Sequence, residues 1–236
     1  IGDYGKFSPK PAIKATYGKG ATKPVISLSV AGAETIRYTT DGTEPGPKSP
    51  VYSKPFSIDK TSIIRAKAYQ AGALPGATLE EKVKTYDWKN AAKTGNVKRG
   101  IVYNYYQPDK NINMISSFKT SLVSSGIADV ITVAKKQRVD KFAFEFNGYI
   151  KVAGDAVYTF YTRSDDGSKL FIDDEEVVDN DGDHGTVEKS GKAALKKGFH
   201  KIRVIYFDSG GGNELKVLMQ PEGGKKEELP AGILFH

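Results

Sequence analysis

The sequence of 236 residues contains no cysteine, and this absence excludes several kinds of chemistry. Disulfide bridges, thiol catalysis and cysteine-ligated zinc sites all require that residue. Long apolar runs are also missing, because no stretch approaches the roughly 20 residues that span a bilayer. We therefore predict no membrane span. The chain begins IGDYGKF, with neither a methionine nor a charged and apolar leader, so we expect a fragment or a mature product.

Motifs for catalysis are equally scarce. The three histidines, His184, His200 and His236, lie far apart, and no serine-nucleophile motif or zinc spacing occurs. The triple glycine at 210–212 lacks the Lys-Ser/Thr pair of a phosphate-binding loop. Adjacent Asp165 and Asp166 would lie too close together to flank a glycosidic bond. We therefore expect this chain to be non-catalytic.

Positive charge is in excess but is not clustered. The net charge is +7, and residues 1–98 hold 16 Lys/Arg against 8 Asp/Glu, whereas residues 99–236 hold 19 against 20. The lysines of the first part stand singly among Pro, Gly and Thr and form no basic helix. Solvated strand faces explain this distribution better than a nucleic-acid surface does. We expect no nucleic-acid partner.

Alternating apolar residues dominate the chain and predict an all-β protein. Turn residues recur every 8 to 12 positions, and apolar side chains repeat with period two, which indicates sheets with one buried face. Ile112, Ile115, Phe118 and Leu122 have helix-like spacing, but the serine-rich surroundings limit the expectation to one or two helical turns. The strand signals are PVISLSV (24–30), TIRYTT (35–40), SIIRAKAY (62–69), FAFEF (142–146), VYTFYT (157–162), KLFID (169–173), HKIRVIYF (200–207) and LKVLM (215–219).

The first part carries a specific turn pattern. Within IRYTTDGTEPGPKSPVYSKPFSI (36–58), the segment TTDGTEPGPKSP (39–50) contains Asp41-Gly42 and three prolines and separates two strand signals. This pattern resembles the small immunoglobulin-like domain found C-terminal to chitobiase and β-hexosaminidase catalytic domains, over about residues 20–86. The resemblance implies a small β-sandwich that acts as a spacer. We expect this domain over 1–86 and a linker over 87–98, which Trp88 pins to one of the domains.

The second part resembles the protective-antigen-14-type (PA14) domain. Its carriers are GIVYNYYQ (100–107), FAFEF through DGDHG (142–185), GFHKIRVIYFDSGGGNEL (198–215) and PAGILFH (230–236), in that order. The resemblance implies a larger antiparallel β-sandwich or barrel over 99–236. It also implies attachment to glycosidases, adhesins or toxins, and in many members carbohydrate binding.

An acidic stretch at 164–185 is the most conspicuous local feature, since nine of its 22 residues are Asp or Glu. An EF-hand beginning at Asp179 is excluded, because His184 replaces the required glycine and Ser190 cannot supply the final carboxylate. Asp173 to Glu176 are expected to form a solvated hairpin turn. The remaining pair, Asp165 and Asp166, follows a strand.

The resemblance to fungal adhesins of the family implies a role for that pair. There, two adjacent Asp residues joined by a cis peptide bind calcium, and a second loop supplies further oxygens. In this sequence the second loop is FDSGGGNEL, so the implied calcium ligands are Asp165, Asp166 and Asp208 with the carbonyls of Gly210 and Gly212. Asp208 stands where the adhesins have Asn, and the loop lacks an aromatic residue. A structural interpretation, in which the pair caps backbone amides of a turn, stays open.

Four further residues are candidates for contact with sugar hydroxyls: Asn180, His184, Asn213 and Glu214. For Asn180 and His184 a loop-stabilising network is the alternative. The resulting hypothesis is a carbohydrate-binding accessory region, with Ca²⁺ as cofactor and a glycan as ligand. Its parent would be an exported glycoside hydrolase of the bacterial envelope, periplasmic, surface-bound or secreted, with an N-terminal β-N-acetylhexosaminidase domain. The alternative is a structural spacer of a glycosidase, α-fucosidase or sulfatase.

Overall fold

The structure is a computed structural model that describes residues 6–18, 21–32, 35–110, 112–117 and 122–236. The chain forms two compact units, Ile1–Asp87 and Trp88–His236, which are considered separately below. Within the described residues, the helical segments are single turns, and none has the length or apolar character needed to cross a bilayer.

The first unit contains six strands: β1 (Ala12–Thr16), β2 (Val25–Ser29), β3 (Thr35–Thr39), β4 (Phe56–Ser57), β5 (Ser62–Tyr69) and β6 (Leu79–Val83). They form two three-stranded sheets, with strand orders β1-β2-β4 and β3-β5-β6. The core alternates along the strands, as in β5, where Ile64, Ala66 and Ala68 are fully buried. At the Asp41-Gly42 turn, Asp41 accepts a hydrogen bond from the backbone of Thr43 at 3.0 Å, and Gly42 has φ of 79°. The turn prediction is confirmed.

The second unit contains the strands β7 (Trp88–Lys89), β8 (Ile101–Tyr106), β9 (Leu122–Ala128), β10 (Phe142–Val152), β11 (Ala156–Asp165), β12 (Ser168–Ile172), β13 (Glu175–Asn180), β14 (Val187–Leu195), β15 (Gly198–Asp208), β16 (Glu214–Pro221), β17 (Glu227–Glu228) and β18 (Leu234–Phe235), with 3-10 turns at Ile115–Ser117, Val133–Lys135 and Ala231–Ile233. These strands form a sandwich of a seven-stranded and a five-stranded sheet. The first has the order β13-β12-β15-β10-β8-β9 with β18 beside β10, and the second has the order β17-β16-β11-β14-β7. The predicted all-β fold class is confirmed.

Residues 87–98, expected as a linker, contribute structure to the second unit. Trp88 and Lys89 pair in parallel with Ala194 and Leu195 of β14, and Lys98 exchanges backbone hydrogen bonds with His236. The Lys196 ammonium lies 4.3 Å from the Trp88 ring centroid. The segment is therefore a strand and a packed connection rather than a free tether, because its backbone groups find partners at the sheet edge.

The core of the second unit lies between its two sheets. Phe142, Phe144 and Phe146 of β10 point inward with at most 1% exposure, and Phe160 of β11 faces them from the other sheet. Period-two alternation therefore assigns the buried face of β10 correctly. On the opposite, outer face of the seven-stranded sheet, Ile112 and Ile115 cover part of β10 and β15.

The expected helical turn near Ile115 is present as a single 3-10 turn, whereas Leu122 begins strand β9. Phe118 lies outside the described residues. A serine-rich segment offers its backbone competing side-chain hydrogen bonds, which is consistent with the short helical content.

Gly191 of β14 is a position where a side chain has no room. A Cβ atom there would lie 1.7 Å from the carbonyl oxygen of Val177, a residue of β13 in the other sheet. We expect Gly191→Ala to lower the free energy of unfolding by about 3 kcal/mol, since overpacking forces backbone shifts. Gly154→Ala, where the new Cβ would have no neighbour within 4 Å, is the control. Equal denaturation midpoints for the two variants would contradict the close approach.

Candidate functional site

Asp165 and Asp166 lie where the chain crosses from one sheet to the other. Asp165 ends β11 of the five-stranded sheet, and β12 of the seven-stranded sheet begins two residues after Asp166. The peptide bond between the two Asp residues is cis. The crossing is tight at Gly167, where a Cβ would lie 2.3 Å from the Phe207 ring. This rim of the sandwich therefore carries the Asp pair.

A second crossing lies beside the first. Strand β15 ends at Asp208 in the seven-stranded sheet, and β16 begins at Glu214 in the five-stranded sheet. The loop between them, residues 209–213, is exposed at its three glycines, and Gly210 and Gly211 have φ of 142° and 93°. These backbone angles favour glycine because other residues rarely adopt them.

The two crossings are in direct contact. The Ser209 backbone amide donates to Asp166 Oδ2 at 2.8 Å, and a Cβ on Gly212 would lie 2.9 Å from Asp165 Oδ2. The Tyr206 hydroxyl also donates to the backbone carbonyl of Asp165. The sequence prediction that the Asp pair and the glycine loop meet is therefore supported by these contacts. We call this region, residues 165–167 with 208–214, the acidic rim.

The Asp166 carboxylate faces inward. It is 3% exposed, and its two oxygens accept backbone amide hydrogen bonds from His184 at 2.9 Å and from Ser209 at 2.8 Å. Burial raises the pKa of Asp166, these amides lower it in part, and the carboxylates of Asp183 and Asp165 raise it further. Asp166 thus performs the turn-capping role that the sequence left open. Each carboxylate oxygen has two lone pairs, so amide bonding alone does not exclude a cation.

Asp208, the last residue of β15, is a fully buried member of the acidic rim. Its Oδ2 accepts from the Lys141 backbone amide at 2.9 Å, and its Oδ1 lies 3.4 Å from Asn213 Nδ2. Burial raises the pKa of Asp208 to about 6, and the neighbouring carboxylates of Asp140 and Asp166 contribute to that rise. Several acidic groups therefore sit close together in a region of low solvent access.

The four candidate sugar contacts have different environments. Asn180 is fully buried and donates to Ser164 Oγ and to the Val187 carbonyl, both at 3.0 Å. Its side chain is therefore not available at a surface groove, which corrects that expectation. His184 is half-buried, and its ring nitrogens contact the carbonyls of Gly185 and Asn180, in agreement with the loop-stabilising alternative.

The other two candidates lie at the rim itself. The Asn213 side chain bridges the Lys136 ammonium and the Val139 carbonyl, the latter at 3.0 Å. Glu214 is half-buried and forms ion pairs with Arg163 at 3.4 Å and Lys216 at 3.6 Å. Thr186 lies 3.4 Å from both the Glu214 and the Asp165 carboxylates. Asp165 and Glu214 are thus the accessible carboxylates of the acidic rim, and Thr186 lies beside them.

The oxygen donors of this rim are of the type that binds a cation, but its side chains alone do not form a complete coordination site. Asp140 Oδ1 is buried and has no hydrogen-bond partner within the described residues, and its charge acts on Asp208. Such an orphaned acceptor among carboxylates is suited to a hard cation that prefers oxygen ligands. However, no three acidic or imidazole side chains are arranged as a metal-binding group in the described part of the chain. Backbone carbonyls or waters would have to complete the coordination.

Sequence reasoning missed several residues of this region, in particular Asp140, Lys136 and Lys141. They precede β10, whose first residue, Phe142, pairs with Asp208. The segment at 136–141 therefore arrives at the acidic rim through strand pairing. The available signal was an acid, Asp140, two residues before the predicted strand at 142–146, but its significance depends on the strand order of the sheet.

Comparisons with known proteins identify the families to which the two units are similar. The molecule is a modular all-β protein with two consecutive sandwich units and a candidate ligand rim on the second. The chain belongs to the PA14 domain family, which matches residues 98–232. Residues 14–80 match the chitobiase/beta-hexosaminidase C-terminal domain. Both resemblances predicted from the sequence are thereby confirmed.

Individual relatives agree with this assignment. A beta-hexosaminidase of Porphyromonas gingivalis is 23% identical over 231 residues, which cover 90% of this chain and 29% of that protein. The PA14 domain of the antifreeze protein MpAFP superposes with a TM-score of 0.53 at 19% identity, over 62% of this chain and 95% of that domain. The PA14 sugar-binding domain from an RTX adhesin gives 0.51 at 16% identity, over 58% of this chain and 98% of that domain. The structural matches establish the shared fold.

Proposed function

We propose that this chain is a non-catalytic, carbohydrate-binding accessory region of an exported glycoside hydrolase. The observation that carries the proposal is the direct contact between the Asp pair and the glycine loop at one rim of the second unit. The sugar-binding domain of the RTX adhesin has the same fold, which supports this class of ligand. Function is inferred from the site, since a fold alone hosts many activities.

The proposed cofactor is Ca²⁺, held by Asp165, Asp166 and Asp208 with carbonyls of Gly210 and Gly212. Calcium accepts six to eight oxygen ligands in flexible geometry, so it can bind protein oxygens and sugar hydroxyls together. The Asp166 and Asp208 carboxylates are fixed in place by backbone amides, which limits their freedom before any ion binds. Asp165, which is half-buried, is the ligand best placed to face a bound sugar.

Direct sugar contacts are proposed for Glu214 and Thr186, which flank Asp165. Carboxylates and hydroxyls form the directional hydrogen bonds that fix a saccharide ring. The exposed glycines add backbone groups that a ring can approach closely, because no side chain intervenes. His184 and Asn213 support the loops on either side through contacts with backbone carbonyls. Asn180 supports the start of β14 from within through its bond to the Val187 carbonyl.

The proposed parent is an exported β-N-acetylhexosaminidase of the bacterial envelope. The similarity to the beta-hexosaminidase extends over nine tenths of this chain and so includes both units. A catalytic domain N-terminal to residue 1 would then be the partner of this region. Tethering a weak glycan site to that domain raises the local concentration of substrate.

Titration calorimetry with GlcNAc- and galactose-containing disaccharides tests this function. We expect saturable binding with a Kd of about 1 mM in calcium, and at least a tenfold loss of this affinity in excess EDTA that added calcium restores. The thermal denaturation midpoint of the protein in EDTA must lie well above the temperature of the titration. Unfolding is then excluded as the cause of the lost sugar affinity. Absence of binding to any disaccharide in calcium would leave the structural spacer as the function of this chain.

A further inference from the structure

The outer face of the seven-stranded sheet contains a cleft that is separate from the acidic rim. It has a volume of about 420 Å³, within the range of small-molecule sites. Ile112 and Ile115 cover another part of the same face and leave this part open. Its lining includes Val102, Asn104, Asn147, Tyr149, Lys201 and Arg203.

Strand register explains why these residues meet. Asn147 of β10 pairs with Val102 of β8 on one side and with Arg203 of β15 on the other. Two residues further along, Tyr149 pairs with Lys201. Because the inward positions of β10 are Phe146 and Ile150, the alternate positions 147 and 149 face outward. The cleft therefore has a floor of side chains from three adjacent strands.

The cleft is well separated from the acidic rim. Arg203 precedes Asp208 by five residues on the same strand, and a rise of about 3.4 Å per residue puts their Cα atoms about 17 Å apart. Side chains of residues 203 and 208 also point to opposite faces of the sheet, since alternate residues alternate in direction. A ligand in the cleft therefore cannot share coordination with the rim.

Charges in the cleft are already balanced. Lys201 forms an ion pair with Asp174 at 2.9 Å, and Arg203 lies 3.5 Å from Glu145 and 4.1 Å from the Phe171 ring centroid. An anionic ligand would have to displace these carboxylates. The chemistry of the cleft therefore favours an uncharged ligand.

The remaining polar groups are suited to hydroxyl groups. Asn147 presents an amide that can donate and accept, and Tyr149 adds a ring and a hydroxyl. The Asn104 amide is hydrogen-bonded to the Tyr106 hydroxyl and keeps its remaining donor and acceptor capacity. Amides, an aromatic ring and a hydroxyl together match one saccharide ring.

We propose that this cleft is a second saccharide-binding site, specific for neutral sugars and independent of calcium. It relies on the proposed function for the class of ligand alone, because none of its residues belongs to the acidic rim. Two sites on one unit would let a single polysaccharide chain, or two neighbouring chains, be held at both places. Such bivalence raises the overall affinity without any new contact.

The test is ¹H–¹⁵N NMR titration of the whole chain with N,N′-diacetylchitobiose and with lactose, in calcium and in EDTA. We expect the backbone amides of Asn104, Asn147 and Arg203, and the side-chain amides of the two asparagines, to shift in both conditions with either or both probes. Signals of residues 209–213 should shift on addition of sugar when calcium is present, and should not shift in EDTA. Cleft shifts that saturate in EDTA would therefore support the second site even if the acidic rim binds nothing.

Two variants make the assignment specific. Asn147→Ala is expected to weaken the cleft titration at least tenfold while the signals of residues 209–213 respond as before. Asn104→Ala provides a second removal in case the first variant fails to fold, which its spectrum reports directly. No cleft shifts at about 10 mM of either disaccharide, or unchanged cleft shifts in both variants, would overturn the proposal.

Discussion

The Asp165→Asn variant is expected to lose at least about 100-fold in calcium affinity, because loss of an outer-shell partner alone costs 10- to 100-fold. The substitution keeps the size of the side chain and removes one negative charge. Asp165 is half-buried, and its carboxylate lies 3.4 Å from the Thr186 hydroxyl, a contact that an amide oxygen can retain. Calcium titration followed by calorimetry measures the change.

Asp166→Asn should have a different outcome. Both Asp166 oxygens accept backbone amides, so an Asn would set its own NH₂ group against the N–H of His184 or Ser209. We expect this variant to lose calcium and also to lose about 1–3 kcal/mol of stability, the cost of an unmatched buried donor. The contrast between the two variants separates the ligand role of the pair from its capping role.

Asp179→Asn is the matched control, because it removes a carboxylate from the same acidic stretch. Asp179 pairs with Lys169 at 3.2 Å, on the outer side of β12 and β13. Its calcium affinity should equal that of the parent chain within a factor of about two. If Asp165→Asn binds calcium as the parent chain does, the calcium part of the proposed function is wrong, and the glycan part must rest on direct hydroxyl contacts.

The sequence predicted which segments meet at the acidic rim. It predicted less well how deeply the side chains in and around that rim are buried. The motifs on either side of Asp165 and of the glycine loop carried the family resemblance, and the family predicted that the two would meet. Side-chain burial follows from a simpler rule, the alternation of side chains between the two faces of a strand. Asn180 lies two residues from the buried Val178 on β13, so alternation already placed it inside.

The same alternation runs through β15. His200, Ile202, Val204, Tyr206 and Asp208 share the inward face, so His200 and the last residue, Asp208, were predictable as buried polar groups. What they contact was not predictable. Asp208 meets Lys141 because β10 pairs with β15 in one particular register, and a register between distant segments is not written in either segment alone.

The acidic residues between β12 and β13 form the hairpin turn that the sequence predicted, and Asp173 has an additional role. Asp173 and Asp174 form the two-residue turn between β12 and β13, both with positive φ, at 49° and 67°. This is the backbone required by the tight hairpin turn, and Asp tolerates it. Solvation explains Asp174, which is exposed. Asp173 turns back towards β15, where it contacts a buried histidine.

His200 is held with both ring nitrogens bonded to acceptors. Its Nδ1 lies 2.7 Å from Asp173 Oδ2, and its Nε2 lies 2.7 Å from the Lys196 carbonyl oxygen. A carbonyl and an ionised carboxylate can only accept, so both nitrogens must carry hydrogen and the ring is an imidazolium. Burial lowers the pKa of His200 and Lys89 adds to that, but the bonds to Asp173 and Lys196 more than offset both, and the pKa is raised above 6.5.

Stability of the second unit is therefore expected to depend on pH through this pair. A folded pKa above the unfolded value means that the contribution is fully present below pH 6.5 and is lost as pH rises through the folded pKa. His200→Gln should cost about 3 kcal/mol at pH 6, because it leaves the Asp173 carboxylate without its charged partner in a partly buried site. Urea denaturation from pH 5.5 to 8.5 in EDTA measures both effects.

Asp173→Asn is the sharper variant, because Asn tolerates the positive φ and its oxygen can still accept from the Lys201 amide. It removes the charge that favours the imidazolium, so we expect a smaller loss, about 1–2 kcal/mol at pH 6, and a flatter dependence above pH 6.5. Other buried acids, including Asp208, contribute a slope of the same sign. The difference between variant and parent, rather than the parent slope, therefore reports His200, and identical slopes in all three proteins would show that His200 is neutral in the folded state.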